Sequence, residues 1–170
     1  MKKVRPMSRS DIRKLTYRLR EDLGLRNIPY INVIRLVEIV FPEILKWDDY
    51  SFEVGTLEKM QGNHGLTQKH TITIREDVYE RTVAGRGRDR FTVMHEVGHL
   101  LLHADAPIAL ARGKVKPYCD PEWQANAFAG EMLVPYHLIS GMTVEEIQSV
   151  CGVSKSAANY QLGQQKRTYF

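Results

Sequence analysis

The sequence has few of the features that mark secreted or membrane-spanning proteins. Its 170 residues include two cysteines, Cys119 and Cys151, without a C-x-x-C pair, which argues against a disulfide framework and a thiolate zinc site. No apolar run approaches the roughly 18 residues of a spanning helix, and none follows the charged N-terminus as in a signal peptide. We therefore expect free thiols, no membrane association and a cytoplasmic location.

Phosphate-binding patterns and repeats are also missing. The glycine-containing stretch 84–90 holds neither G-x-G-x-x-G nor G-K-[ST], and we find no internal repeat or low-complexity tract. With 43% hydrophobic and 26% charged residues, the composition is that of a soluble globular protein. The length suits one packed core with a small appendage. We expect a main domain over residues 1–139 and a helical segment over residues 140–170, which resembles a helix-turn-helix.

One pattern in the chain carries specific chemistry, an H-E-x-x-H segment that begins at His95 and ends at His99. On a helix this spacing places both imidazoles on one face, about 6 Å apart along the axis, where they can share one zinc ion. Thr92, Glu96 and His103 fall within the same arc of about 100°, and apolar residues fill most of the remainder. The pattern predicts a buried helix with one stripe of metal-capable side chains.

Elements of two kinds are expected around this helix. Alternating apolar residues near Phe52 and near Ile72 predict two or three antiparallel strands, hence a small sheet of about three strands. A helix that starts near Tyr30 should end before Pro42. Apolar spacing and capping residues predict helices over these ranges: 10–23, 30–40, 76–83 and 121–134. The fold class is therefore α+β.

A catalytic zinc site usually takes three protein ligands and leaves one position for water. His103 lies about 12 Å along the axis from His95, and the glycine that lets related motifs turn toward a third histidine is missing. The next helix offers Glu122 and Glu131, which face opposite sides. We prefer Glu122, because Asn126 lies one turn further on the same face and could orient a zinc-bound imidazole.

Two further residues before that helix, Cys119 and Asp120, are weaker alternatives for the third ligand. Glu96 would not bind zinc; it would accept a proton from the attacking water and later deliver one to the leaving amine. A further donor should stabilise the oxyanion. The sequence leaves three candidates for that donor: His103, Tyr118 and Tyr136.

Two stretches, residues 90–103 and 122–135, together resemble the ImmA/IrrE family of zinc metallo-endopeptidases. Carried over position by position, the resemblance implies zinc ligands at His95, His99 and Glu122, and a general base at Glu96. It also implies a zincin-like fold. The implied biological role is the regulated cleavage of a transcriptional repressor.

The ends of the chain bear on possible partners. The first twenty residues carry eight Lys or Arg against one acid, which is more typical of a solvated helix face than of a nucleic-acid site. The helices beyond residue 140 are expected to pack on the core rather than read DNA. We expect a protein substrate, a DNA-binding repressor, as the partner. The alternative is a non-catalytic regulator whose zinc only stiffens a fold that binds a repressor or DNA.

Overall fold

The computed structural model of the chain describes residues 2–106, 109–110 and 113–167. It confirms the α+β class. The helices are α1 (Arg9–Asp22), α2 (Val33–Arg35), a π-helical turn (Leu36–Val40), α3 (Phe41–Ile44), α4 (Leu57–Met60), α5 (Glu76–Val83), α6 (Gly87–His103), α7 (Pro121–Leu133), α8 (Val144–Cys151) and α9 (Lys155–Arg167). The strands are β1 (Lys2–Lys3), β2 (Ser51–Gly55), β3 (Gly65–Gln68), β4 (Thr71–Arg75) and β5 (Ala109–Leu110).

The main sheet has three strands in the order β2-β4-β3, and it is mixed. Strand β3 pairs with β4 antiparallel, as in a hairpin, whereas β2 pairs with β4 parallel. The prediction of a purely antiparallel sheet was therefore wrong. Apolar alternation cannot reveal strand direction, because the pairs Phe52–Ile72 and Val54–Ile74 would show the same period of two in either orientation. β1 and β5 form a separate antiparallel pair.

The helical segment formed by α2, the π-helical turn and α3 passes through Pro42 instead of ending before it. In the π-helical turn the N–H of Phe41 bonds to the carbonyl of Leu36, five residues back. Pro42 has no N–H to offer the next carbonyl, that of Val37. The hydroxyl of Tyr50 donates to this carbonyl at 2.7 Å. A side chain from a later loop thus replaces the bond that the proline cannot make.

Helix α6 lies in the centre of the hydrophobic core. Its apolar side packs with Ile72 and Ile74 of β4 in one buried cluster, and α7 packs against it on the other side. The apolar residues of α6 in this cluster are Val93, Met94, Val97 and Leu100. The predicted buried helix is therefore present. In the described part of the chain, no helix is long and apolar enough to cross a lipid bilayer.

The C-terminal helices α8 and α9 share this core. Ile147, Cys151 and Ala158 belong to the same buried cluster as α6. The guanidinium of Arg90 donates to the carbonyls of Cys151 and Gly152 at 3.2 and 2.9 Å, at the C-terminal end of α8, where a cation is favourable. These contacts fix α8 against the first turn of α6. The division of the chain at residue 139 stays a prediction.

A histidine joins the sheet to the segment that follows α6. His70 lies between β3 and β4, and its Nδ1 is 2.7 Å from Asp49 Oδ1. Its Nε2 is 3.2 Å from Asp105, two residues beyond α6. The ring also stacks on Trp47, with 4.4 Å between the centroids. The hydrogen bond to Asp49, reinforced by that to Asp105, outweighs burial and raises the pKa of His70 above its ordinary value of 6.5.

We expect the stabilising effect of this bridge to depend on pH. Because the pKa is raised in the folded state, the bridge stabilises fully below the unfolded value of 6.5 and loses its effect as pH rises through the folded value. The free energy of unfolding should therefore fall more in Asp49→Asn at about pH 6 than at about pH 9. Asp48→Asn, which neutralises the neighbouring exposed carboxylate, is the control. A His70 pKa at or below 6.5 in an NMR titration would contradict the bridge.

Candidate metal centre

Three side chains from α6 and α7 converge on one point. The Nε2 atoms of His95 and His99 are 3.0 Å apart. The two carboxylate oxygens of Glu122 lie 3.3 Å from Nε2 of His95 and 3.4 Å from Nε2 of His99. One ligand atom from each residue falls within 4.8 Å of the others, which makes this group able to hold a metal ion. The residues preferred from the sequence are therefore brought together.

The close packing of α6 on α7 produces this convergence. Gly98 faces α7 so closely that a Cβ there would lie 3.1 Å from the Cα of Ala125, so the backbones meet without an intervening side chain. Helix α7 starts at Pro121, and the side chain of Asp120 caps it by accepting the N–H of Glu122 at 3.0 Å. The cap fixes Glu122 in the first turn, opposite the two histidines.

The charges of the cluster suit a bound cation. Hydrogen bonds to His95 and His99 hold the pKa of Glu122 well below its usual 4.5. Burial opposes the charged form of His95, but the hydrogen bond to Glu122 and the charge of Glu96 outweigh it and raise the pKa of His95. Glu122 therefore stays ionised, and a metal ion competes with a proton for His95, so binding weakens as pH falls.

The other candidates for the third ligand lie elsewhere. Glu131, on the opposite face of α7, is buried and accepts hydrogen bonds from Arg9 and Arg13, each at 3.0 Å. Asp120 is occupied as the cap of α7. Cys119 is a buried free thiol that the metal-capable group does not include. Among the described residues, Glu122 is the acidic side chain that joins the two histidines in the metal-capable group.

Glu96 lies in the same cleft without joining the cluster. The residue is only 7% exposed, and the hydroxyl of Thr67 is 2.7 Å from its Oε2. The cleft encloses about 340 Å³ between β3, α6 and the first turn of α7. Glu96 is thus positioned to exchange a proton with a molecule in the cleft.

The remaining predicted residues occupy different positions. The amide oxygen of Asn126 is 3.0 Å from Nδ1 of His95, which is the orienting contact expected from the sequence. His103 also borders the cleft, but its ring nitrogens lie 3.1 Å from Nδ1 of His99 and 2.9 Å from Oε1 of Gln124. Burial lowers the pKa of His103 below 6.5. His103 is therefore engaged on both sides, which is against the predicted role as an oxyanion donor.

Neither tyrosine candidate lines the described part of the cleft. The ring of Tyr118 lies near the ammonium group of Lys116, 5.7 Å from the ring centroid. The ring of Tyr136 packs under the guanidinium of Arg13 at 4.8 Å, beside α1. The identity of an oxyanion donor stays open. Among the described residues, polar groups that line the cleft include Lys2, Asn63 and Lys69.

Strand β3 contributes residues that the sequence did not single out. Gly65 lies against Glu96, since a Cβ at this glycine would be 2.6 Å from Cγ of Glu96. Thr67, on the same face of the strand, is the hydrogen-bond partner of Glu96. The stretch 61–65 predicts a turn, and β3 has no apolar alternation. No local signal therefore connected this strand with the metal helix.

Comparison with known protein families gives a clear result. Residues 56–163 match the family model Peptidase_M78, described as the IrrE N-terminal-like domain. The chain belongs to this family. The match includes strands β3 and β4 and both helices that carry the metal-capable residues, α6 and α7. Membership in Peptidase_M78 indicates a metallopeptidase-like protein and agrees with a single-domain zincin-like fold. No curated protein matches the chain.

The contact between β3 and Glu96 in this peptidase fold can be tested with one methyl group. Gly65→Ala should displace the side chain of Glu96 and break its bond with Thr67, lowering the free energy of unfolding by about 1–2 kcal/mol. The matched control is Gly163→Ala in α9, where a Cβ meets nothing within 4 Å; it should stabilise by up to about 1 kcal/mol. Denaturant unfolding of both variants gives the comparison, and an unchanged stability of Gly65→Ala would refute the contact.

Proposed function

We propose that this protein is a zinc-dependent endopeptidase that cleaves one protein partner, a DNA-binding transcriptional repressor, and thereby relieves repression. The observation that carries the proposal is Glu96, which lies in an open cleft beside the cluster of two histidines and one glutamate. A structural metal site needs no general base next to it. Family membership supports the same conclusion.

The donor set and its spacing favour zinc. Two imidazole nitrogens and one carboxylate are typical of catalytic zinc, which leaves one position open. Ligands at 2.0–2.1 Å from a tetrahedral ion stand about 3.3 Å apart, close to the separations of 3.0, 3.3 and 3.4 Å found here. When bound, zinc would supply an acidified water and polarise the peptide carbonyl.

Glu96 supplies the proton transfers that peptide hydrolysis requires. Thr67 donates to its Oε2, whereas its Oε1 has no hydrogen-bond partner among the described residues. Oε1 can accept the proton of the attacking water and later pass it to the nitrogen of the leaving amine. Thr67 holds the carboxylate in one orientation through both transfers. The tight fit of Gly65 against Cγ of Glu96 restricts the side chain further.

The free edge of β3 offers a place for the substrate backbone. Arg75 donates its N–H to the carbonyl of His64, which makes these two residues a hydrogen-bonded pair. Because such pairs alternate along an antiparallel ladder, the backbone groups of Gly65 and Thr67 point away from β4. They line the cleft. An extended peptide that adds to this edge would be held by its backbone, with little regard to its sequence.

Selectivity for side chains requires another surface. A hollow of about 580 Å³ lies on the side of Asn126. It lies between α6, α7 and α9. Asn126 borders it and also contacts His95, so this side chain lies between the hollow and the site. Its walls include Phe91, Trp123 and Ala157, and the exposed Arg88 lies among its lining residues. A large apolar side chain near the cut peptide bond would fill this hollow, and an acidic neighbour would meet Arg88.

The first test is metal content. Purified protein should hold about one zinc ion per chain, and His95→Ala or Glu122→Ala should lose it, because each removes one of three ligands. His137→Ala removes a histidine that bonds to the Arg26 carbonyl instead and should retain zinc. Elemental analysis after dialysis measures all four proteins. Full retention of zinc in both ligand variants would disprove the assignment.

The second test separates catalysis from binding. Glu96→Gln should keep zinc and fold but lower the rate of cleavage by about 100- to 10,000-fold, because the amide cannot accept a proton. The matched control is Glu145→Gln, which changes an exposed glutamate in α8. The substrate tested is a DNA-binding repressor, where one is encoded beside the protein, and the measurement is the appearance of one discrete cut, mapped by mass spectrometry.

Two outcomes of this experiment would contradict the proposal. If Glu96→Gln relieves repression in cells as well as the unchanged protein does, the non-catalytic regulator is the correct interpretation. Equal digestion of unrelated unfolded proteins would instead show a general peptidase. A cut far from any large apolar residue would contradict the role of the hollow while leaving the peptidase activity intact.

A further inference from the structure

His103 is the third histidine of α6, and the proposed reaction gives it no role. The residue is 7% exposed. Its Nδ1 lies 3.1 Å from Nδ1 of His99, the ring nitrogen that does not face the metal cluster. Its Nε2 lies 2.9 Å from Oε1 of Gln124. His103 therefore connects a metal ligand to a buried amide of α7.

The far end of this connection is anchored by two backbone carbonyls. Nε2 of Gln124 donates to the carbonyl of Arg5 at 2.8 Å and to that of Tyr118 at 2.9 Å. Carbonyl oxygens only accept hydrogen bonds, so the amide nitrogen must face them and Oε1 must face His103. Gln124 is 1% exposed. The N–H of Met7 bonds to the Tyr118 carbonyl at 2.8 Å, which holds this anchor in place.

The direction of each hydrogen bond then follows from the one before it. Oε1 of Gln124 only accepts, so Nε2 of His103 carries the hydrogen. In a neutral imidazole the other nitrogen accepts, so Nδ1 of His99 must donate to His103. The lone pair of His99 is left on Nε2. That atom lies 3.0 Å from Nε2 of His95 and 3.4 Å from Oε1 of Glu122.

We propose that Gln124 and His103 are positioning residues. The two backbone carbonyls fix the orientation of the Gln124 amide, and the hydrogen bonds through His103 then select the ring nitrogen with which His99 holds the metal ion. This inference rests on the proposed function, because it takes the cluster as a metal site. Groups that orient metal-binding histidines in this way typically change metal affinity by about 10- to 100-fold.

The two histidine ligands are oriented by different means. His95 is held by Asn126, whose side chain is exposed, so water can replace that amide. His99 is held by His103, which is 7% exposed, and His103 is held in turn by the buried Gln124, so water replaces this partner less readily than it replaces Asn126. Removal of His103 should therefore leave Nδ1 of His99 without a fixed partner.

The test compares two substitutions of His103. His103→Leu removes both hydrogen bonds and should raise the Kd for zinc by about 10- to 100-fold. His103→Gln keeps one acceptor and one donor on a side chain of similar length, so we expect a Kd within about threefold of the unchanged protein. Competition with a chromophoric chelator measures the Kd. Gln165→Leu removes a buried amide that bonds to the Tyr136 carbonyl and is the control.

NMR spectroscopy tests the direction of these hydrogen bonds directly. In the zinc-loaded unchanged protein, long-range ¹⁵N–¹H NMR correlations should place the hydrogen of His99 on Nδ1 and that of His103 on Nε2. This measurement does not depend on how well any variant folds. The same experiment on His103→Gln should again show the hydrogen of His99 on Nδ1.

The outcomes distinguish this inference from the proposed function. Equal zinc affinity in His103→Leu and the unchanged protein, or a hydrogen on Nε2 of His99, would overturn the positioning role alone. A loss of affinity in His103→Gln as large as in His103→Leu would also overturn it, because hydrogen-bond direction would then not matter. An unchanged protein that holds no zinc would overturn both proposals.

Discussion

The contact between α6 and α7 is the constraint on which the site depends. A glycine at position 98 lets the backbones approach until a Cβ would touch the Cα of Ala125. At that distance the side chains of the two helices pair along the seam: His95 with Asn126, His99 with Glu122, and His103 with Gln124. The group able to hold a metal ion and the contacts that orient its histidines thus arise from one helix packing, because each histidine meets its partner on the same surface.

Helix α7 is held in this position at both ends. At its N-terminus, Asp120 caps the first turn that carries Glu122. At its C-terminus, the buried guanidinium of Arg20 donates to the carbonyl of Met132 at 2.5 Å and to that of Leu25 at 2.9 Å. Burial lowers the pKa of Arg20 to about 10, so it remains a cation at neutral pH, which is favourable at a helix C-terminus.

Local patterns in the sequence were sufficient to predict the three residues that converge, but not what surrounds them. The spacing of His95 and His99 fixes their geometry on any helix, and the preference for Glu122 follows from Asn126, one turn further on the same face. The hydrogen bond of Gln124 to Arg5 joins residues 119 positions apart, and no periodicity encodes such a pair. The direction of β2 and the passage of a helix through Pro42 likewise depend on contacts that form only in the folded chain.

The partners of the two histidines differ in their exposure to solvent. Asn126 contacts His95 and also borders the apolar hollow, so the amide that orients His95 lies at the edge of the hollow. Gln124 is buried and His103 borders the cleft on the other side, and their hydrogen bonds end on backbone carbonyls; neither is among the described residues that line the hollow. His99 is therefore held through buried side chains, whereas His95 is held by an exposed amide beside the hollow.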